Sequence, residues 1–207
     1  MRLKKKVKRF LWFLLLLILL GCGFYIYKNY YHKPAVKEVK VVNKIKKYGY
    51  NLKENKPEAY KKMFEELKEI LEADEVDEEA YVKKISEMFI FDFYSLKDKS
   101  AKTDIGGVEF VYGDILENFL ENAQDTYYKY VESNIYNNRK QSLPMVSEIT
   151  IGEVTQEEYE YLKESDPEAY KVEVTWTYDK SEFSDYQQKA TLYFIHDDIK
   201  LCLVELQ

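Results

Sequence analysis

The sequence predicts an α+β protein: an N-terminal membrane segment, then three helices packed on a curved antiparallel sheet. Three observations indicate this. An apolar run occupies residues 10–27, apolar residues recur at helical spacing between residues 57 and 131, and the spacing changes to two from Leu143 onward. Hydrophobic residues make up 46% of the 207 residues and aromatic ones 16%, so the chain is able to bury the core of one domain.

The apolar run FLWFLLLLILLGCGFYIY has two interpretations. As a helix its 18 residues rise about 27 Å, close to the roughly 30 Å of a bilayer core. As a signal segment, Leu19-Leu20-Gly21-Cys22 resembles a bacterial lipobox, in which Cys22 receives lipid and becomes the new N-terminus. The apolar residues that continue from Cys22 to Tyr27 favour the uncleaved span.

Charge divides the chain into four parts. Residues 1–9, a basic cytoplasmic tail, carry six basic groups and no acidic one, and the span follows at 10–27. The basic stem, 28–47, carries seven lysines and one glutamate. An acidic domain, 48–207, has the remaining 18 basic and 36 acidic groups. The tail favours an N-terminus inside the cytoplasm, which places the domain outside, and the acidic domain argues against nucleic-acid binding.

Two amphipathic helices are predicted after the stem. Residues 57–74 place apolar side chains at positions i, i+3, i+4 and i+7. Asp77 suits the N-cap of a second helix that extends to Leu96 and is apolar on most sides. Asp92 lies inside this apolar run, where it is a catalytic base with a raised pKa, or a carboxylate that faces out or pairs with a backbone or Arg partner.

The middle of the chain contains further candidate sites. Gly106-Gly107 is predicted as a turn, with anion binding through backbone N–H groups as the alternative. A third helix is predicted from Ile115 to Val131, and the tyrosines within it are either packing residues or a binding surface: Tyr127, Tyr128 and Tyr130.

Arg139 is the only arginine after residue 9. Because arginine forms bidentate pairs with carboxylates, a structural clamp to Asp92 or Asp104 is predicted, with a surface arginine as the alternative.

Period-two patterns predict a leading strand through Tyr48, Tyr50 and Leu52 and a C-terminal antiparallel sheet. The four predicted strands of the sheet are 145–154, 170–178, 188–195 and 199–206. Residues 157–169 are predicted to connect the first two strands, with room for a helical turn. His196-Asp197-Asp198 is predicted as a tight hairpin turn.

Recognisable catalytic and cofactor motifs are missing from the sequence. The two histidines, His32 and His196, have no Ser, Cys or metal-ligand pattern around them, and no cofactor is predicted. Cys202 is predicted to lie in a buried strand, so that it is unable to pair with Cys22.

Three helices followed by a four-stranded antiparallel sheet resemble the NTF2-like cone. A single N-terminal span carrying such a domain is similar to the VirB8/TcpC-like subunits of conjugation machines. The segments IKKYGYNL, FDFYSL, DIGGVEFVY, DTYYKYVESN and NRKQSLP look like parts of uncharacterised single-span proteins of low-GC Gram-positive bacteria. The resemblance implies the bacterial cytoplasmic membrane and protein partners in the envelope, but no site residues.

Three functions follow as hypotheses. The first is a non-enzymatic interaction or scaffold module in a cell-envelope or secretion-type assembly, whose oligomeric state the sequence leaves open. The second is a small-ligand binder with an aromatic pocket, since a cone of helices on a curved sheet leaves a cavity. The third is an isomerase-like enzyme with Asp92 as its base, which requires Asp92 to point into such a pocket.

Overall fold

The computed structural model describes residues 5–27 and 39–207, which contain four α-helices and six β-strands. The α+β class and the antiparallel sheet are confirmed. The helices are α1 (Lys5–Ile26), α2 (Glu58–Leu71), α3 (Glu78–Tyr94) and α4 (Leu116–Asp125). The strands are β1 (Val41–Ile45), β2 (Tyr50–Lys53), β3 (Val146–Tyr161), β4 (Glu164–Tyr178), β5 (Lys189–Asp197) and β6 (Lys200–Leu206).

The predicted apolar segment forms one continuous helix, α1. Its stretch Lys6–Tyr25, 20 residues, is long and apolar enough to cross a membrane, the only helix of the described residues that is. No described side chain of this stretch is buried. Residues 1–4 of the predicted tail and residues 28–38 of the predicted stem, including His32, lie outside the described residues.

The folded unit begins at Val39, so the end of the predicted stem belongs to it. Residues 41–45 form β1, which pairs antiparallel with β2 so that Ile45 lies opposite Tyr50. The leading strand predicted through Tyr50 and Leu52 is therefore one half of a hairpin. Ile45 is buried in the same core as Tyr50 and Leu52. This packing explains why the folded unit begins before residue 48, the predicted boundary.

Helix α3 lies across the core, as its apolar sequence predicts. Its N-terminus is capped by Asp77, whose Oδ1 accepts the backbone N–H of Ala80 at 2.9 Å. The third predicted helix is shorter than expected, because α4 ends at Asp125 and Thr126 leaves helical geometry at φ −114° and ψ −91°. The tyrosines that follow Thr126 therefore lie in turns rather than on the helix.

The four-stranded sheet has the order β3-β4-β5-β6. Alternation along β4 is as predicted, since Val172, Val174 and Trp176 are buried and the residues between them are not. The β3–β4 hairpin is longer than predicted: residues 157–169, expected as a connection, continue both strands around a tight turn with Leu162 at φ 51°. No helical turn forms there, because the strand pairing extends to Tyr161 opposite Glu164.

The main core lies between the helices and the inner face of the sheet. The central strands supply fully buried side chains to it, whereas the edge strand β3 supplies half-buried ones. A second, smaller cluster lies on the outer face, where Ala169, Ile195 and the predicted buried thiol of Cys202 pack together. The long hairpin covers it, because Tyr159 stacks on Tyr193 of β5 and Tyr161 contacts Tyr112 beside β6.

Candidate functional site

A buried carboxylate on α3 lies at the centre of a small group of charges. The Nζ of Lys99 lies 2.7 Å from Oδ1 of Asp92, and the Nζ of Lys56 lies 2.6 Å from Oδ2. The backbone N–H of Gly107 also donates to Oδ2, at 2.8 Å. We call Asp92, Lys56, Lys99 and Gly107 the charge centre. Both carboxylate oxygens are occupied, which is what a buried charge requires to be tolerated in a protein interior.

The predicted glycine turn completes the charge centre through close packing. A Cβ on Gly106 would lie 2.1 Å from the carbonyl oxygen of Asp92, so only glycine fits there. Gly107 has a φ of +73°, and a Cβ on it would lie 2.6 Å from the ring of Phe89. Gly106-Gly107 is therefore a turn, as predicted. Its anion-binding alternative also holds in one sense, because the Gly107 N–H binds the carboxylate of Asp92 in the same chain.

The charge centre leaves Asp92 ionised. Burial by itself would raise the pKa of Asp92, but attraction to Lys99 and Lys56 and their hydrogen bonds hold it well below its usual range. A general base with a raised pKa was one interpretation of this residue. The structure contradicts that pKa direction, and Asp92 lines neither of the two surface clefts described below.

The predicted clamp between Arg139 and a carboxylate does not form among the described residues. The Arg139 guanidinium donates instead to the backbone carbonyls of Lys97, Lys99 and Glu132. The Asp104 carboxylate accepts from the backbone N–H and hydroxyl of Ser100. Arg139 thus has a structural role, but its partners are backbone carbonyls rather than a carboxylate. These contacts order the loop that carries Lys99.

Buried polar side chains extend from the charge centre towards β2. The ammonium of Lys56 lies 4.7 Å from the ring centroid of Tyr60, whose hydroxyl donates to Oε1 of Glu109 at 2.6 Å. Burial raises the pKa of Glu109 above its usual value. Neither Lys56 nor Lys99 was singled out from the sequence. The available signal was indirect: a buried Asp92 needs a cation, and Lys99 lies within two turns of it along the chain.

His196 takes part in a second charged group, which the turn prediction missed. Its Nδ1 lies 2.8 Å from Oδ2 of Asp166 on β4, and its Nε2 lies 3.5 Å from Oε2 of Glu78 on α3. Burial would lower the pKa of His196, but hydrogen bonding and attraction to Asp166 and then Glu78 raise it above 6.5. The ring therefore links the sheet to the first turn of α3.

Tyrosines line a cleft beyond α4, which we call the tyrosine cleft. Of the three tyrosines proposed as a binding surface, Tyr128 is buried and donates to the carbonyl of Phe93, whereas Tyr130 is 77% exposed. Tyr127 and Tyr130 share the cleft, of about 440 Å³, with apolar and polar neighbours. Its remaining lining includes Leu96, Val131, Leu143, Asp185 and Tyr186.

The outer face of the sheet carries a wider groove, of about 930 Å³. Its walls are mostly polar side chains of the central strands, among them Glu173, Thr175 and Lys189. Gly152 leaves the groove open at β3, where a Cβ would lie 3.2 Å from the carbonyl oxygen of Glu173. No buried titratable group is among its lining residues, so the groove offers little for chemistry.

The free edge of β3 is the longest unpaired backbone edge of the described sheets. The strand has 16 residues, and β4 is its one partner strand, with three irregularities along the pairing. At its start the backbone N–H of Val146 donates to the hydroxyl of Ser95. Its inward-facing side chains, such as Ile149, Ile151 and Val154, pack against the core but are only half-buried, and no second described strand pairs with this edge. Five glutamates and no basic residue lie along it: Glu148, Glu153, Glu157, Glu158 and Glu160.

The remaining candidate sites concern the two cysteines and metal binding. Cys22 is free and exposed on α1, Cys202 is free and buried, and they form no disulfide. Lipidation of Cys22 stays a prediction. In residues 5–27 and 39–207, no group of three or more His, Cys, Asp or Glu side chains is arranged to hold a metal ion.

Comparisons with protein-family models, with curated proteins and with solved structures found no match for this chain.

Replacing Asp92 by asparagine tests the charge centre. Asp92→Asn leaves the buried Lys99 and the half-buried Lys56 without a counter-charge, so the free energy of unfolding should fall by about 3–5 kcal/mol. Asp179→Asn is the matched control, because Asp179 pairs with the exposed Lys97 and such pairs contribute about 0–1 kcal/mol. Urea denaturation of the full-length protein in detergent measures both. Equal losses in the two variants would contradict the account.

Stability should depend on the charge of His196. Because its folded pKa lies above 6.5, its contribution is complete below pH 6.5 and is lost as the pH rises through the folded pKa. His196→Gln should flatten the fall in stability above pH 6.5, measured by urea denaturation across that range. His32→Gln is the control, and an equal flattening by both variants would refute the role of His196.

Proposed function

We propose that this chain is a membrane-anchored, non-enzymatic interaction module of a bacterial cell-envelope or secretion-type assembly, with its acidic folded unit outside the cytoplasm. The apolar, fully exposed surface of α1 supports anchoring, since only lipid or another apolar helix stabilises such a surface. The basic residues 1–9 support the orientation. The NTF2-like cone and the likeness to VirB8/TcpC-like subunits stay predictions.

The observation that carries the interaction role is the unpaired edge of β3. An unpaired edge presents a row of N–H and C=O groups that pair readily with an extended segment of another chain. Natural proteins usually keep such edges short or interrupt them with bulges. β3 has three irregularities in its pairing, but it extends for 16 residues with no strand on its outer side, and this length supports a docking role. The opposite edge of the sheet differs, because Tyr112 donates its N–H to the carbonyl of Leu203 on β6 and so covers part of it.

The state of Asp92 supports a non-enzymatic function. A general base needs a free lone pair within hydrogen-bond reach of a substrate. In the charge centre, two lysines and a backbone N–H occupy the oxygens of Asp92, and its pKa is lowered rather than raised.

Crosslinking in living cells, followed by purification of the full-length chain from membranes, tests this function. We expect the chain in the membrane fraction, with envelope proteins attached through β3. Glu153→Lys with Glu157→Lys should reduce their recovery, whereas Glu69→Lys with Glu72→Lys on and just after α2 should not. The control pair makes the same charge change at exposed positions. Recovery of the chain in the soluble fraction would refute anchoring.

The intact mass of the purified chain separates the two forms of anchor. A mass for residues 1–207 means a permanent span. A chain that begins at lipid-modified Cys22 means a lipoprotein, in which α1 makes no contacts with other spans.

Binding of a small ligand is the second candidate function, favoured by the tyrosine cleft. Its volume of about 440 Å³ lies in the usual range for ligand sites, and its tyrosines offer both apolar faces and hydroxyl groups. An apolar fluorescent dye should bind there, and Tyr130→Ala should weaken its binding. Tyr136→Ala is the matched control, because Tyr136 is similarly exposed and does not line the cleft. An equal effect of both would exclude the cleft.

A further inference from the structure

The folded unit has a second free strand edge, on β1, with the opposite charge. β1 pairs only with β2 among the described strands. Residues 39–47 carry four lysines and no acidic residue: Lys40, Lys44, Lys46 and Lys47. Three valines in the same segment are exposed, at 42% for Val39, 43% for Val41 and 53% for Val42. An edge strand with exposed β-branched side chains is a surface that favours pairing with another strand.

The charges decide which edges pair. β3 against β3 places glutamates opposite glutamates, and β1 against β1 places lysines opposite lysines, and like charges directly opposite destabilise a strand pair. β1 against β3 places lysines opposite glutamates. Charged residues also protect edges from non-specific pairing, but each edge here carries a single sign of charge, so only the unlike pairing is favoured.

We propose that two copies of this chain pair head to tail, the β1 edge of one copy adding to the β3 edge of the next. The proposal rests on the proposed interaction function and names a second copy as the occupant of the β3 edge. It accounts for the free edges of β1 and β3 and for the exposed valines Val41 and Val42 of β1, which the added strand pair would cover.

The geometry of such a contact has two consequences. It is heterologous, since each copy contributes a different surface, and copies therefore continue beyond the dimer unless the arrangement closes into a ring. It is also small, because β1 has only five residues. Anchoring in one membrane would compensate for this, because it raises the effective concentration of each edge near the other.

Charge exchange between two tagged, full-length forms of the chain tests the proposal in native membranes. The first variant, Lys40→Glu with Lys44→Glu, reverses the charge at two of the four lysines of residues 39–47, and the second, Glu153→Lys with Glu157→Lys, reverses it at two of the five glutamates of β3. All four positions are exposed. Wild-type copies carrying different tags should co-purify, and zero-length carbodiimide crosslinks should join Lys40 or Lys44 to a β3 glutamate in products larger than a dimer.

Each variant expressed only with itself should lose about tenfold or more of this co-purification, because one edge then loses nearly all its net charge and its two changed side chains meet residues of like charge. Expressing the two variants together should restore it, since the changed side chains of the two edges then carry opposite charges. Rescue of this kind excludes misfolding as the cause of the single losses. Glu69→Lys with Glu72→Lys controls for the change in net charge.

Three outcomes overturn the proposal: wild-type copies that do not co-purify, single variants that behave like the control, or a mixture that is not rescued. If the β1 reversal instead releases the chain from membranes without changing co-purification, lipid is the occupant of the β1 edge and the proposal is wrong. If copies do not associate while the β3 reversal still abolishes recovery of other envelope proteins, this inference fails and the proposed function stands.

Discussion

The ionised carboxylate of Asp92 is the interaction on which the rest of the folded unit depends. It joins three separate parts of the chain to α3: Lys56 before α2, Lys99 after α3, and the turn at Gly107. A carboxylate inside a core is costly unless each oxygen is paired, so these segments are fixed together rather than independently. Arg139 contributes indirectly, because it holds the carbonyls of the loop that carries Lys99. The strongest electrostatics of the molecule therefore serve its folding.

The sheet, in contrast, leaves backbone N–H and C=O groups without a partner strand along the outer edge of β3. The inner face is closed by helices and the outer face is partly closed by the long β3–β4 hairpin, which covers Ile195 and Cys202. No second described strand pairs with the free side of β3, and glutamates follow it along its length. An edge with exposed backbone groups and side chains of a single sign of charge favours binding of an oppositely charged strand. The carboxylate inside the fold is thus fully hydrogen-bonded, and the recognition that we propose takes place at the free strand edges.

Anchoring and recognition are connected by mass action. A strand of five residues gives a weak contact between freely diffusing proteins. For copies held in one membrane, as we propose, the same contact would be strengthened, because tethering offsets most of the loss of translational freedom on binding. An apolar N-terminal helix and free strand edges of opposite charge are in this sense parts of one arrangement. The tyrosine cleft is separate from it and belongs to the ligand-binding alternative.

The sequence by itself determined the features that depend on neighbours along the chain. The period of the apolar residues predicted α1, α2, α3 and the alternation of β4, and Asp77 predicted the start of α3, because these follow from local geometry. Only the tertiary structure decided the partners of Asp92, the role of Arg139 and the link between His196 and Asp166. Those contacts join residues far apart in the chain. The chain offers many lysines and carboxylates as partners, and the choice among them depends on burial and distance, which no local pattern encodes. The length of β3 was missed for the same reason: its polar second half is held as a strand by pairing with β4 and by the packing of Tyr159 on Tyr193.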